Sequence, residues 1–257
     1  MYLEKQMMNA SIYVTWNVMN DKPLSNILLD DEPRFNLILF EYSGNLKNES
    51  SITIKHVSWE NSCFVHSEAS EGKGDIIRHL AKHIDESSTK YIGIIDDDIL
   101  IRVSDLNRAL ELGVNADLAS FQPSLARCSH YSHEFTVNQQ NSIVRKVDWV
   151  EIMMPIMKSE LLWLAKPFLE LSISSWGLDC YLFPMLALTQ GVRGGHAVID
   201  ASIAAHVRPI TSGAKIYRNG FTAQQEMMVV KEACIQYLNH ISYKGSEIEL
   251  LSKLFDF

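Results

Sequence analysis

The stretch Tyr91-Ile92-Gly93-Ile94-Ile95-Asp96-Asp97-Asp98-Ile99-Leu100 decides the fold, because an apolar run of the β type ends in three consecutive acids. Its first half predicts a buried central strand of a sheet that is covered on both faces. In open α/β sheets, ligands bind at the carboxyl ends of the strands, which is where these acids stand. A side-chain period of two places Asp96 and Asp98 on one side of the strand and Asp97 on the other.

Three adjacent carboxylates admit two interpretations. They can form a helix N-cap or a solvated turn, or they can hold a hard divalent cation such as Mg²⁺ or Mn²⁺. The apolar residues 99–101 that follow favour the cation, since they place the acids between hydrophobic segments. Partial burial of adjacent carboxylates without a cation costs roughly several kcal/mol or raises a pKa.

Composition limits the class of protein. The 257 residues are 47% hydrophobic, which permits a substantial core in one large α/β domain or two small ones. No run of about 18 apolar residues occurs and the N-terminus lacks the apolar centre of a signal peptide, so we expect a cytoplasmic protein. The four cysteines show no CxxC pair, and the net charge of −8 argues against a nucleic-acid partner.

Strand and helix patterns alternate along the chain, which predicts a single α/β domain. Strands are predicted at 11–17, 35–42, 52–57, 64–66, 116–121, 143–147, 149–154 and 197–205, with 143–147 and 149–154 forming a pair. Helices are predicted to begin at Asp75, Ser104, Ser159, Ser174 and Thr222. The polar stretch 129–142 has no periodicity and is predicted to be a loop.

Three ordered segments resemble one known family. They are Asp96-Asp97-Asp98, then Trp176-Gly177-Leu178-Asp179, then Val198-Ile199-Asp200-Ala201 with His206-Val207-Arg208-Pro209. Together they resemble nucleotide-sugar glycosyltransferases of the GT-A fold, and most of all a poorly characterised plant and bacterial family. The resemblance covers roughly residues 11–209. It implies one Rossmann-like GT-A domain over 1–257, with a mixed, mainly parallel sheet flanked by helices.

The resemblance also implies an organisation within this domain and roles for particular residues. Residues 11–125 would bind the nucleotide, 143–209 the acceptor, and 221–257 would form a C-terminal helical segment. Asp96, Asp98 and His206 would hold Mn²⁺ or Mg²⁺, and Asp179 would be the base that activates the acceptor. Ordinary alternatives remain for two of them: His206 can be a hydrogen-bonded packing residue, and Asp179 can serve its helix N-terminus alone.

The other candidates fall into two groups. Those for the nucleotide are Asp97, Thr15, Asn17, Glu41, Lys73, Arg208 and Lys215, and those for the substrate are Trp176, Gly177 and Glu151. Thr15, Asn17 and Glu41 are chosen only by their position near strand ends. The cluster Arg193, Arg208, Lys215 and Arg218 can bind the diphosphate or form a solvated face, because no acid lies between Asp200 and Glu226.

The resulting functional hypothesis is a metal-dependent glycosyltransferase that uses a nucleoside diphosphate sugar and inverts the anomeric centre. Its acceptor would be a hydroxyl of a glycan or a lipid-linked molecule, met in the second case by peripheral contact at the inner face of the membrane. Two alternatives are a non-catalytic member that binds the sugar or nucleotide, and an aspartyl phosphohydrolase. The phosphohydrolase fits less well, because about ninety residues precede Asp96.

Overall fold

A computed structural model describes residues 7–20, 22–46, 50–55, 60–84, 89–210 and 213–241. The strands are β1 (Ala10–Trp16), β2 (Ile27–Leu28), β3 (Asn36–Glu41), β4 (Ser50–Lys55), β5 (Glu60–Ser67), β6 (Tyr91–Ile95), β7 (Ile99–Arg102), β8 (Ser120–Leu125), β9 (Val144–Val147), β10 (Ile156–Lys158) and β11 (His196–His206). The α-helices are α1 (Lys73–His83), α2 (Val103–Asn115), α3 (Ser159–Ala165), α4 (Phe183–Thr189) and α5 (Ala223–His240). Short 3-10 segments cover Glu134–Thr136 and Lys166–Leu171, and a π-helical turn covers Leu178–Leu182.

The strands form one mixed sheet in the order β2-β7-β11-β8-β10-β6-β1-β3-β5-β4, and β9 pairs with β11. Strands β6, β1, β3 and β5 run parallel to one another, so their carboxyl ends meet at one edge. Strands β1 and β6 are buried along their whole length, as their continuous apolar sequence predicts. This parallel core places the acids after β6 at the ligand-binding edge of the sheet.

Helices cover both faces of the sheet. On one face, Leu106, Ala109 and Leu110 of α2 pack over β11, β8 and β7 and belong to an apolar cluster that extends to residues of β1 and β6. On the other face, α1, α3, α4 and α5 form a second apolar cluster, to which Ile77 and Val230 contribute. Burial of apolar surface on both faces is the main source of stability of such a three-layer domain. None of the helices within the described residues is long and apolar enough to cross a bilayer.

Three predicted helix starts were wrong. The helical segment expected to begin at Ser174 begins only at Leu178, as a π-helical turn, and two other starts are displaced. Helix α1 begins at Lys73 with Gly72 as its N-cap, so Asp75 lies inside the first turn, where it is buried. Helix α2 begins at Val103 and not at Ser104, whose amide and hydroxyl both bind Asp30. In both cases the acid or hydroxyl suggested a cap, but tertiary partners take up the side chain. The predicted start at Thr222 is confirmed, with the complete capping box to Gln225.

The predicted strand pair 143–147 and 149–154 was wrong in its second half. Strand β9 pairs with β11, and the chain from 148 to 155 is irregular before the short β10. The reason is that its backbone donors bind side chains: the Glu151 amide donates to Gln122 Oε1 at 2.7 Å and the Ile152 amide to Asp179 Oδ2 at 3.2 Å. Residues 56–57 of the predicted strand 52–57 and residues 242–257 of the C-terminal segment lie outside the described residues.

The polar stretch 129–142 is a loop, as predicted, but it is anchored on β11. The Asn138 side chain donates to the Asp200 carbonyl and to Ser124 Oγ. The Asp200 carboxylate accepts from the Gln139 amide at 2.9 Å and from Arg145 Nε at 2.6 Å. Because the Asp200 side chain is fully buried, its charge depends on these donors.

Replacing Arg145 tests this anchor. Arg145→Leu leaves Asp200 buried with the Gln139 amide but without its cation, so we expect the free energy of unfolding to fall by about 3 kcal/mol. The measurement is the urea midpoint and slope at neutral pH. Lys55→Ala is the control, because the Lys55–Glu60 pair is 4.0 Å long and both side chains are mostly exposed. Equal, small effects of the two changes would contradict the prediction.

Candidate active site

The three acids form a turn between β6 and β7, and each carboxylate contacts a different part of the fold. Asn26 stabilises the turn, since its side-chain amide donates to the carbonyls of Asp96 and Ile99 at 3.0 Å. Strand β7 then leaves β6 and pairs with β2 and β11 on the other side of the sheet. The acids therefore lie where the chain crosses the edge, and not within one continuous strand.

Asp96 is paired with Lys73, the first residue of α1. Lys73 Nζ lies 2.6 Å from Asp96 Oδ1, 2.9 Å from the Met153 carbonyl and 3.4 Å from the Ile94 carbonyl. Burial raises the pKa of Asp96 to about 6, although the Lys73 ammonium opposes the shift. Three protein acceptors occupy the three N–H donors of Lys73, so this geometry argues against its predicted contact with a nucleotide phosphate.

Asp97 points to different partners. Its carboxylate accepts from the Tyr42 hydroxyl at 2.9 Å and from Arg208 Nη1 at 3.3 Å. Tyr42 follows β3 and Arg208 follows β11, so two strand ends converge on this acid. Burial, together with the charge and hydrogen bond of Asp97, raises the pKa of Tyr42 well above its usual range. Of the predicted basic cluster, Arg208 reaches the acid turn.

Asp98 is paired with His206. The antiparallel pairing of β7 with β11 places His206 opposite Ile99, so that Asp98 Oδ2 and His206 Nε2 are 3.4 Å apart. Burial would raise the pKa of Asp98, but hydrogen bonding to His206 and nearby positive charge outweigh it and lower the pKa. The hydrogen bond with Asp98 is the main cause that raises the pKa of His206. The structure thus brings together two residues that the sequence analysis assigned to one metal.

The donor set fits a cation that a diphosphate also binds. Among the described residues, no group of three or more His, Cys, Asp and Glu side chains could hold a metal ion alone. Mg²⁺, however, is commonly bound by one or two carboxylates together with substrate phosphates. His206 Nδ1 donates to the His130 carbonyl at 3.1 Å, which leaves Nε2 directed at Asp98 as in many metal-binding histidines.

A cavity of about 600 Å³ opens beside the acid turn. Its charged and hydrogen-bonding lining residues are Asp96, Asp98, Ser132, His133, Glu151, Asp179 and His206. Its apolar and aromatic lining includes Trp149, Ile152, Met153, Trp176, Pro209, Ile210 and Met227. All three segments that carry the resemblance therefore meet in one cavity.

Asp179 lies in the π-helical turn that follows Gly177. Gly177 has a φ of 88°, and a Cβ there would lie 3.0 Å from Val230, so glycine suits both the turn and the packing. Asp179 Oδ1 accepts from the Cys180 amide at 2.8 Å, and Oδ2 accepts from the Ile152 amide. Burial nevertheless raises its pKa to about 6. A carboxylate with this pKa can accept a proton near neutral pH.

Glu151 lines the same cavity and is almost fully buried. Burial, followed by the negative charge of Asp179, raises its pKa to about 7. Its Oε2 atom has no hydrogen-bond partner among the residues that the structure describes. The sequence analysis named Glu151 only as a substrate-binding candidate, and nothing in the pattern indicated a carboxyl pair with Asp179.

Sequence reasoning missed Glu226, which holds the turn that carries Trp176. Its buried carboxylate accepts from the amides of Ile173 and Ser174 at 3.0 and 2.8 Å, and from Asn219 Nδ2 at 2.6 Å. Ser172 Oγ also donates to it. This cluster supports Ser175, which has a φ of 81°, an unfavourable backbone angle for a residue with a side chain.

Several predicted residues do not reach the cavity. Glu41 is fully buried and binds the Ser43 amide and the Ser67 hydroxyl at 2.8 Å, while Thr15 is buried inside β1. Asn17 Oδ1 accepts from the Met19 amide. These contacts argue against Glu41 and Thr15 as direct nucleotide ligands. The sequence offered no signal beyond their place at strand ends.

The basic cluster is dispersed. Lys215 Nζ donates to the Glu71 carbonyl at 2.8 Å. Arg218 binds the buried Asp75 with two nitrogens, and so connects the segment after β11 to α1. Arg193 lines a separate cavity with Asn9 and Lys90, which precede β1 and β6 at the opposite edge of the sheet. These contacts argue against the cluster as a whole as a diphosphate site.

Comparisons with known proteins give structural neighbours only, since no family model and no curated protein matches the chain. The crystal structure of S. aureus TarS 1-349 has a TM-score of 0.54 at 12% identity, over 96% of this chain and 70% of that chain. TarS 1-349 in complex with UDP-GlcNAc has a TM-score of 0.53 at 13% identity, over 96% and 71%. The complex with UDP has a TM-score of 0.52 at 13% identity, over 97% and 72%.

These likenesses concern the fold. They confirm the expected single α/β domain of GT-A type, with a mixed, mainly parallel sheet between helices. At such low identity they assign no role to any residue of this chain. The roles of the site residues therefore depend on the geometry described above.

Replacing Lys73 separates its two interpretations. Lys73→Met removes the cation beside Asp96, so we expect the free energy of unfolding to fall by about 2 kcal/mol, because both groups are largely shielded from water. Thermal and urea unfolding at pH 7.5, which is about one and a half units above the raised pKa of Asp96, measure the change. Unchanged stability together with weakened UDP binding would instead return Lys73 to the role of a phosphate ligand.

Proposed function

We propose that the chain is a metal-dependent glycosyltransferase that moves a sugar from a nucleoside diphosphate sugar to a hydroxyl of a glycan or lipid-linked acceptor, with inversion. One observation carries the proposal: a single cavity holds the acid turn with His206 and also the partly buried Asp179, whose pKa is raised to about 6. A cation site for a leaving group and a base for an incoming hydroxyl are the two functions that this transfer requires.

The structural neighbours support the donor. TarS 1-349 is described in complex with UDP-GlcNAc and with UDP, and this chain matches both structures over almost its whole length. A uridine diphosphate sugar is therefore the first donor to test. Low identity leaves the sugar open, because different sugars and reactions occur on one fold.

The acid turn would bind the diphosphate end of the donor. Asp98 and His206 would hold Mn²⁺ or Mg²⁺ directly, and Asp96, which is fixed by Lys73, would act through water or the ribose. When bound, the cation neutralises charge that develops on the leaving diphosphate. Arg208, about half exposed beside Asp97, would add a positive charge from the protein at the same end of the donor.

Asp179 would act on the acceptor. It accepts the proton of the hydroxyl as that oxygen bonds to the anomeric carbon, while the bond from this carbon to the diphosphate oxygen breaks and its electron pair leaves with the diphosphate. Attack from the face opposite the leaving group inverts the anomeric centre. Two backbone amides fix the orientation of Asp179. The flat side chain of Trp176 offers an apolar face to a sugar ring.

Cation-dependent nucleotide binding is the first test. We expect UDP with Mn²⁺ to stabilise the parent protein, by about 2.7 kcal/mol at one hundred times the dissociation constant, and UDP alone to do much less. Asp98→Ala should lose the Mn²⁺-dependent part of the thermal shift. His206→Ala should weaken the Mn²⁺ titration without abolishing it, since Asp98 remains. Asp117→Ala removes an exposed acid at the opposite edge of the sheet, so it is the control for the loss of one negative charge.

Asp179→Asn separates binding from chemistry. The amide keeps the size of the side chain but cannot take the acceptor proton, so we expect the transfer rate to fall by about 10²–10⁴-fold while UDP and Mn²⁺ bind as in the parent. In the parent, the rate should fall as the pH drops below about 6, because protonated Asp179 is not a base. A variant with nearly parental rate, measured as release of UDP in the presence of acceptor, would show that Asp179 only stabilises its turn.

A further inference from the structure

Glu151 differs from Glu226, another buried acid, in how few donors reach it. Its Oε2 atom has no partner among the described residues, and the hydroxyl of the exposed Ser132 lowers its pKa through a hydrogen bond. Glu226, by contrast, is fully buried and accepts from two backbone amides, an asparagine and a serine. The two acids are thus buried to a similar degree but are satisfied very differently.

An unsatisfied buried acceptor destabilises a protein by about 1–3 kcal/mol. The backbone of Glu151 is nevertheless held firmly, since its amide donates to the fully buried Gln122 at 2.7 Å. The side chain is therefore kept in the cavity wall with one carboxyl oxygen, Oε2, that lacks a hydrogen-bond partner among the described residues. Such a group is expected where a ligand supplies the missing donor.

We infer that Glu151 binds a second hydroxyl group of the acceptor while Asp179 takes the proton of the first, which makes the acceptor a sugar or a polyol. This inference rests on the proposed function. Glu151 and Asp179 line one cavity, and the negative charge of Asp179 acts on Glu151, so one ligand in this cavity can contact both carboxyl groups. Trp149 and Trp176 line the same cavity and offer apolar faces to the carbon atoms of a polyhydroxylated ligand.

The surroundings of Glu151 leave part of its hydrogen-bonding capacity to a ligand. The groups that act on its charge are Asp179, His206, Lys73 and the Ser132 hydroxyl. His206 and Lys73 pair with the acid turn, so among the described residues neither of these two groups forms an ion pair with Glu151. A hydroxyl can satisfy the carboxyl in either protonation state, because it both donates and accepts. An alcohol with a single hydroxyl group would contact Asp179 alone and would leave Glu151 without a hydrogen-bond donor.

Stability of the free protein gives the first test, with Glu226 as the matched control. At pH 7.5 (about half a unit above the raised pKa of Glu151), Glu151→Gln should melt at the same temperature as the parent or above it, because the variant removes a poorly compensated buried charge. Glu226→Gln should melt clearly lower, because the amide cannot accept all of the same donors. A decrease for Glu151→Gln as large as that for Glu226→Gln would overturn the inference and make Glu151 a structural residue.

Acceptor preference gives the second test. The assay measures release of UDP from UDP-N-acetylglucosamine with Mn²⁺, in the presence of glycerol or of 1-propanol at equal concentration. The parent should favour glycerol by roughly tenfold or more, since a site that binds a hydroxyl rejects the analogue that lacks it. In Glu151→Leu the preference should fall to the small factor expected from the number of hydroxyls. A parent without preference, or a variant that keeps it, would overturn the inference.

The two proposals fail in different ways. Transfer by the parent to both alcohols alike would leave the proposed glycosyltransferase standing and remove the role of Glu151. Absence of both UDP binding and UDP release in the parent would remove the proposed function, and this inference with it. A Glu151→Leu variant that still shows the parental thermal shift with UDP and Mn²⁺, but has lost the preference for glycerol, supports the acceptor role specifically.

Discussion

Compensation of three adjacent negative charges is the constraint on which the site depends. Each acid of the turn after β6 pairs with different residues: Asp96 with Lys73, Asp97 with Tyr42 and Arg208, and Asp98 with His206. These partners come from the start of α1 and from the ends of β3 and β11. Satisfying the acids therefore requires that the parallel core, the first covering helix and the crossing of β7 to β11 all form together. Without these partners, the three adjacent carboxylates would leave partly buried negative charge unpaired.

Much of the framework follows from local patterns in the sequence. The continuous apolar runs of β1, β3 and β6 and the capping box of α5 depend on residues next to one another, and the structure has them nearly as predicted. The irregular segment 148–155 was misjudged because its alternating apolar residues resemble a strand. Its amides bind Gln122 and Asp179, which lie far away in the chain. Local pattern fails there because tertiary hydrogen bonds replace the ladder.

The residues of the candidate site also differ in whether local sequence patterns could predict them. Asp96, Asp98, Asp179 and His206 were found from short segments, and the structure places all four around one cavity. The contact between Lys73 and Asp96 could not be predicted, because it depends on how the start of α1 approaches the end of β6. Glu226 was missed for a similar reason. It lies in the first turn of α5, and its partners at 172–174 and 219 become neighbours only when α5 packs against the π-helical turn.

The carboxyl groups of Glu226, Asp179 and Glu151 show how the surroundings decide whether an acid stabilises the fold or is available to a ligand. Glu226 has a lowered pKa: its burial opposes this, but the donors around it outweigh burial and keep it ionised, so it serves as an anchor. Asp179 and Glu151 have raised pKa values of about 6 and about 7, because burial outweighs the donors that reach them. Two carboxyl groups that share a cavity and titrate near neutral pH are poorly suited to stabilise a fold. They are well suited to exchange protons with a ligand, and the rigid anchors around them keep both in place for it.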